Sequence, residues 1–306
     1  MKTRLSNAIA TALVVGCIAS SSAFAGQVNP NSEFVPTGKG WGEAVSNGGE
    51  INAAKPGGGA RPTTNITAHG GPVITTTNNI HIIWYGNWNS TPQSILVDLS
   101  QSIGGSPYFN INKTYYNPSN VHVTGAVSYA GATTDILSQG VASYSMTDTD
   151  ILDIVKLAIG NGTPDANGIY MVLTAADVHK SGFGTSYCGW HTHATINGID
   201  TKYAFVGDPS TQYPTSCGAQ ATGPNGNSGA DAMASVFAHE LEEETTDPDL
   251  NAWYDSKGAE NADKCAWTFG TQYLAANGAK ANVKLGTRDY LIQQNWSATT
   301  QACGMQ

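Results

Sequence analysis

The segment that most constrains this chain is Gly229 to Pro248, "GADAMASVFAHELEEETTDP". Met233, Val236, Phe237 and Leu241 recur at three- and four-residue spacing, the pattern of an amphipathic helix. The rest of the chain must supply a core for that stripe. Pro248 disfavours helical geometry at Asp247, so the helix should end near Thr246. On such a helix His239 and Glu243 stand one turn apart on one face.

Other helices and strands interleave with it. "PVITTTNNIHIIWYG" contains two strand-like pieces around a polar turn. "STPQSILVDLSQSIGG" reads as a helix capped by Ser90 or Thr91, with Pro92 in its first turn and Gly104-Gly105 at its end. "VHVTGAVSYAG" alternates as a strand does. "TDTDILDIVKLAIGNG" is a second helix, acidic at its start. "GIYMVLTAADV" and "TKYAFVGDP" are further strands, and "RDYLIQQNW" a late one. The expectation is a single layered α/β (α+β) domain over 63–306, with a mixed sheet and the long motif helix. No repeat of solenoid period is present.

The helix carries metal chemistry. Zinc takes imidazole nitrogen and carboxylate oxygen, so His239 and Glu243 could share an ion. In H-E-x-x-H hydrolases the residue at the Glu240 position is the general base. Here Glu243 stands where the second histidine would be. A carboxylate there makes the metal a poorer Lewis acid and shifts preference towards harder ions. Zn2+ is the first expectation, with Ca2+ or Mn2+ as alternatives. For a third ligand, Glu260 lies 17 residues past Glu243, ahead of Asp263. A different spacing points to Asp249, but Thr246 stands where that pattern has glycine. The contrary reading of Glu242, Glu243 and Glu244 is a solvated acidic face. His191 and His193 form an H-x-H pair that a strand would place on one face; the alternative is two loop histidines. His69, His81, His122 and His179 are isolated and read as structural or surface groups. No G-x-S-x-G, phosphate loop or dinucleotide fingerprint occurs.

Residues 1–25 read as an export signal: Lys2 and Arg4, an apolar run, then Ala23-Phe24-Ala25 before Gly26. Anchoring as a lipoprotein at Cys17 is the lesser alternative. Residues 26–62 are rich in Gly, Ala and Pro and read as a flexible linker. No segment reaches membrane-spanning length. Without Cys17 four cysteines remain, Cys188, Cys217, Cys265 and Cys303. That even number in an exported chain implies two disulfides. Sequence order favours Cys188–Cys217 with Cys265–Cys303, but three pairings exist. Losing Lys2 and Arg4 takes the formal charge from −9 to −11. Such a surface argues against nucleic acid and anionic membrane as partners.

Read together, "HGGPVITTTNNIHIIWYGNW", "SPYFNINKTYY", "YCGWHTHA", "YAFVGDPSTQYPTSC", "NAWYD" with "ENADKC", and a final "CG" resemble the EXORDIUM or phosphate-induced protein 1 family. The resemblance runs in order from His69 to Cys303. It implies a secreted or wall-associated protein, and the signal peptide suggests a bacterial member. The H-E-x-x-E helix also resembles the motif helix of zincin peptidases. The lead expectation is a secreted metallopeptidase-like hydrolase. In it His239, Glu243 and Glu260 or Asp263 hold the ion, Glu240 is the base, and Trp253 and Tyr254 line the cleft. Its substrate would be a peptide or another amide. The rivals are a non-catalytic protein that binds a cell-wall polymer through its tryptophans, and a metal that is only structural.

Overall fold

The structure is a computed structural model that describes residues 64–306. The expected export signal and linker lie outside the described residues. A five-stranded mixed sheet forms the centre. Its strands are β1 (Asn78–Tyr85), β2 (Val127–Asp135), β3 (Gly168–Thr174), β4 (Gly189–Ile196) and β5 (Ile199–Gly207), in the spatial order β2-β1-β3-β5-β4. The first four of that order run parallel, and β4 is an antiparallel edge. Every residue of β3 is buried. Unbroken apolar runs of this kind suit central parallel strands covered on both faces. Helices α1 (Ser90–Ser102) and α3 (Ser228–Thr246) pack together on one face, and α2 (Asp148–Ile159) packs elsewhere on the sheet. This is the layered α+β fold expected from the sequence.

The antiparallel edge arises locally. Asn197 and Gly198 both have positive φ (48° and 83°) between the paired residues Ile196 and Ile199. Asn-Gly is the pair that a two-residue hairpin with left-handed central residues favours. The tight turn fixes the register, so His191 lies opposite Ala204 and faces α3. Gly189 on the same face leaves room for the helix. A Cβ there would sit 2.6 Å from Val236 Cγ1 and 2.8 Å from Glu240 Oε1.

Some elements differ from expectation. Asn89, not Ser90 or Thr91, caps α1, its side chain accepting from the Thr91 N–H. β2 begins at Val127, and only His122 of the preceding segment makes an isolated bridge. The late strand breaks into Arg288–Tyr290 and Asn295–Ser297. Pro72 to Thr75 is not a strand. Instead the Ile74 N–H bonds the Thr245 carbonyl, one of the last of α3.

After α3 the chain folds back over the helix. Trp253–Tyr254 pairs antiparallel with Thr67–Ala68, and a 3-10 turn follows at Asp263–Cys265. The H-G-G-P segment packs against this return. A Cβ on Gly71 would meet Asn251 Oδ1 at 1.7 Å, so only glycine fits.

The structure pairs Cys188 with Cys217 and Cys265 with Cys303. The second bond closes 38 residues and pins the Asp263 turn to the C-terminal strand. Replacing both Cys265 and Cys303 by serine should cost about 2–4 kcal/mol, because the unfolded chain regains the entropy of that loop. Urea denaturation of the pure protein checks this, and an unchanged midpoint contradicts it.

A candidate metal centre on the long helix

Helix α3 is buried nearly all round, including its charged residues. Glu242, Glu243 and Glu244 are each 0% exposed. The acidic run is therefore not a solvated face. Strand β4 lies on one side of it, and the returning segment 247–265 covers the end. His239 on α3 and His191 on β4 are equally buried.

Glu243 sits at the middle. Its Oε1 lies 3.1 Å from His239 Nε2, and its Oε2 lies 3.4 Å from His191 Nδ1. Oε1 also accepts from the Asp263 backbone N–H at 2.9 Å. Asp263 Oδ1 is 3.7 Å from His239 Nε2. Glu260 Oε1 is 3.6 Å from His191 Nε2, and Glu240 Oε2 is 3.5 Å from His191 Nδ1. Two ligand-sized groups result, His239–Glu243–Asp263 and His191–Glu243–Glu260, and they share Glu243.

The turn that carries Glu260 and Asp263 is held from several sides. The Glu260 N–H donates to Asp263 Oδ2. Asn261 Nδ2 donates to the Glu242 carbonyl and to Asn112 Oδ1, which also accepts from Asn295. Asp247, which ends α3, accepts from the Asn251 and Ala252 N–H groups.

Electrostatics show what the cluster needs. Burial foremost, with neighbouring carboxylates adding to it, drives Glu242, Glu244 and Glu260 well above the usual carboxylate range. Burial and then Glu243 push Asp263 up to about 6. Burial would raise Glu243 too, but His239 foremost and then His191 hold it down to about 2. For His191 burial favours the neutral ring, yet Glu260, Glu240 and Glu243 pull it well above the usual value. His239 behaves alike under Glu243 and Asp263. A buried cluster of this kind must hold protons or cations among its carboxylates.

The donor set fits a divalent ion. None of the four ring nitrogens of His191 and His239 has a partner aligned for a hydrogen bond. Two ligand atoms held about 2.0–2.1 Å from a tetrahedral ion lie roughly 3.3–3.4 Å apart. The separations of His239 Nε2 from Glu243 Oε1 and Asp263 Oδ1, 3.1 and 3.7 Å, bracket that edge length.

Sequence reasoning reached His239, Glu240, Glu243, Glu260 and Asp263, and the structure brings all five together. Asp263 stands with His239, while Glu260 faces His191. Glu240 also meets His191. The H-x-H pair is split. His191 enters the cluster, but His193 is half-exposed and bonds Asp200 at 2.7 Å. Asp249 belongs to that outer group, where Lys202 bridges Asp200 and Asp249. A lysine already neutralises it, so Asp249 is not free for the helix. Trp253 is a core residue, edge-on to Tyr115 and Tyr116, with its Nε1 donating to the Tyr116 carbonyl. Tyr254 stacks on His69. Neither lines the cluster.

The model of the phosphate-induced protein 1 conserved region matches residues 66–306. "Protein EXORDIUM-like 3" of Arabidopsis thaliana is 30% identical, over 83% of this chain and 86% of its own. "Protein EXORDIUM" of the same plant is 30% identical over 63% and 69%. "Protein PHOSPHATE-INDUCED 1" of Nicotiana tabacum is 27% identical over 61% and 66%. No solved structure matches the chain.

Proposed function

This chain belongs to the phosphate-induced protein 1 family of EXORDIUM-like proteins, and on that premise we propose that it is an exported protein built around a buried divalent-metal centre. His239, Glu243 and Asp263 hold the ion, with zinc first and calcium or manganese as alternatives. The observation that carries this reading is His239. It is a fully buried imidazole without an aligned hydrogen-bond partner, facing two carboxylates. The two disulfides fit an oxidising compartment, and among the described residues no helix is long and apolar enough to cross a membrane.

Burial favours a stabilising role for the ion. His191, His239, Glu240, Glu243 and Glu260 are all 0–1% exposed, which leaves a polymeric substrate no access in this conformation. A polymer-binding role gains nothing from the tryptophans, because none of the six described ones is fully exposed.

The second reading is metal-dependent peptide hydrolysis with Glu240 as general base. It is favoured by Asp263, whose side chain is 14% exposed and gives the His239 group an edge towards solvent. The two readings separate in a Glu240→Gln variant loaded with zinc. The stabilising reading predicts unchanged metal content and no peptide hydrolysis by either protein. Hydrolysis by wild type that falls by about 100-fold or more in the variant establishes the enzyme instead.

A further inference from the structure

We propose that the centre is dinuclear: a second divalent ion is held by His191 and Glu260, and Glu243 bridges the two ions through its two oxygens. The inference rests on the metal reading above and extends it to residues outside the helix motif. Three observations carry it.

First, the ligand groups are two, not one. His191, Glu243 and Glu260 offer atoms within 4.8 Å of one another, as do His239, Glu243 and Asp263. Only Glu243 is common to both. Its oxygens are divided between them, Oε1 facing His239 at 3.1 Å and Oε2 facing His191 at 3.4 Å. A carboxylate split in this way suits ions about 3.5–4 Å apart, the spacing of two-metal sites.

Second, His191 has no other employment. Its side chain is 0% exposed, and neither ring nitrogen has an aligned hydrogen bond. It comes from a different element, edge strand β4, whose Asn-Gly hairpin sets its register. A histidine so buried and unbonded needs a cation or a proton between it and its carboxylates.

Third, carboxylates from three residues converge on His191. Glu240 Oε2 and Glu243 Oε2 lie 3.5 and 3.4 Å from its Nδ1, and Glu260 Oε1 lies 3.6 Å from its Nε2, all with fully buried side chains. The nearest lysines have their own partners: Lys202 holds Asp200 and Asp249, and Lys264 holds Asp255. A second ion at His191 offsets the charge where Glu240, Glu243 and Glu260 converge.

The test uses the full exported chain, stripped with chelator and dialysed against zinc alone, with bound metal counted by atomic emission. The wild type should retain two zinc ions per chain. His191→Ala and Glu260→Gln should each retain one and keep the wild-type circular dichroism. Reloading with manganese alone should give an exchange-coupled paramagnetic resonance spectrum in the wild type and an uncoupled six-line spectrum in either variant. One zinc per wild-type chain, unchanged by a folded Glu260→Gln, overturns the dinuclear site and leaves the single centre standing. No retained metal overturns both. Loss of both ions from a folded variant overturns two separable sites.

Discussion

Chelation should lower the melting temperature of the native protein by about 8–16 °C, and added zinc should restore it. The size follows from linkage. A ligand present at about a thousandfold above its dissociation constant stabilises the folded state by about 4 kcal/mol. For a domain of this size each kcal/mol moves the midpoint by about 2–4 °C. Removal also exposes the repulsion among the carboxylates that surround Glu243. Burial and then Glu243 push Asp263, which faces His239, up to about 6, so it passes from charged to neutral between pH 7 and pH 5. The loss should therefore be sharper at neutral pH than at pH 5, where protons take over part of the cation's role. Differential scanning calorimetry with and without chelator reads it directly. Coincident curves rule out a stabilising ion.

Asp255→Ala should cost about 3–5 kcal/mol, because it strands a buried cation. Lys264 has a side chain 2% exposed, and it donates to Asp255 Oδ2 at 3.0 Å and to the Thr64 carbonyl at 2.7 Å. Its Nζ lies 4.7 Å from the centre of the Trp296 ring. Burial would raise the Asp255 pKa, but Lys264 and the backbone N–H groups of Lys257 and Ala259 hold it below the ordinary carboxylate value. Since the folded value is the lower one, this stability is fully present above the unfolded value. It is lost as pH falls through the folded one. Lys264 follows Asp263 and precedes Cys265, so the pair also holds the turn that presents Asp263 to His239. The variant should unfold at lower urea and bind zinc more weakly. An unfolding free energy from urea denaturation within about 1 kcal/mol of wild type contradicts the account.

How much of this could be read from sequence depended on whether the information was local. The i, i+4 relation of His239 and Glu243 needs only the helix, and Pro248 marks its end. The order of the three helices and of strands β1, β2, β3 and β5 followed from periodicity in the same way. The burial of Glu242 to Glu244 did not, because it depends on residues 247–265 folding back over α3. His191 and His193 look alike in the sequence. Whether each finds α3 or Lys202 is settled by β4 pairing with β5 and by the approach of Asp249. The available signal was the Asn197-Gly198 hairpin, which makes "GWHTHATI" an edge strand and turns His191 inward. Asp249 fitted a ligand spacing, but its partner Lys202 is 47 residues away, beyond any local pattern. The late strand broke because Leu291 to Gln294 turn inward: Gln293 Oε1 accepts the Trp267 N–H, and its backbone carbonyl accepts the Tyr108 hydroxyl.

The central claim is a metal ion between His239 and Glu243. The most direct measurement is an anomalous difference map from a crystal of the zinc-loaded protein, collected on both sides of the zinc edge. The account predicts a peak that vanishes below the edge and lies about 2.0–2.2 Å from His239 and Glu243. A map with no peak there, from a crystal in which His239 and Glu243 are well ordered, contradicts it.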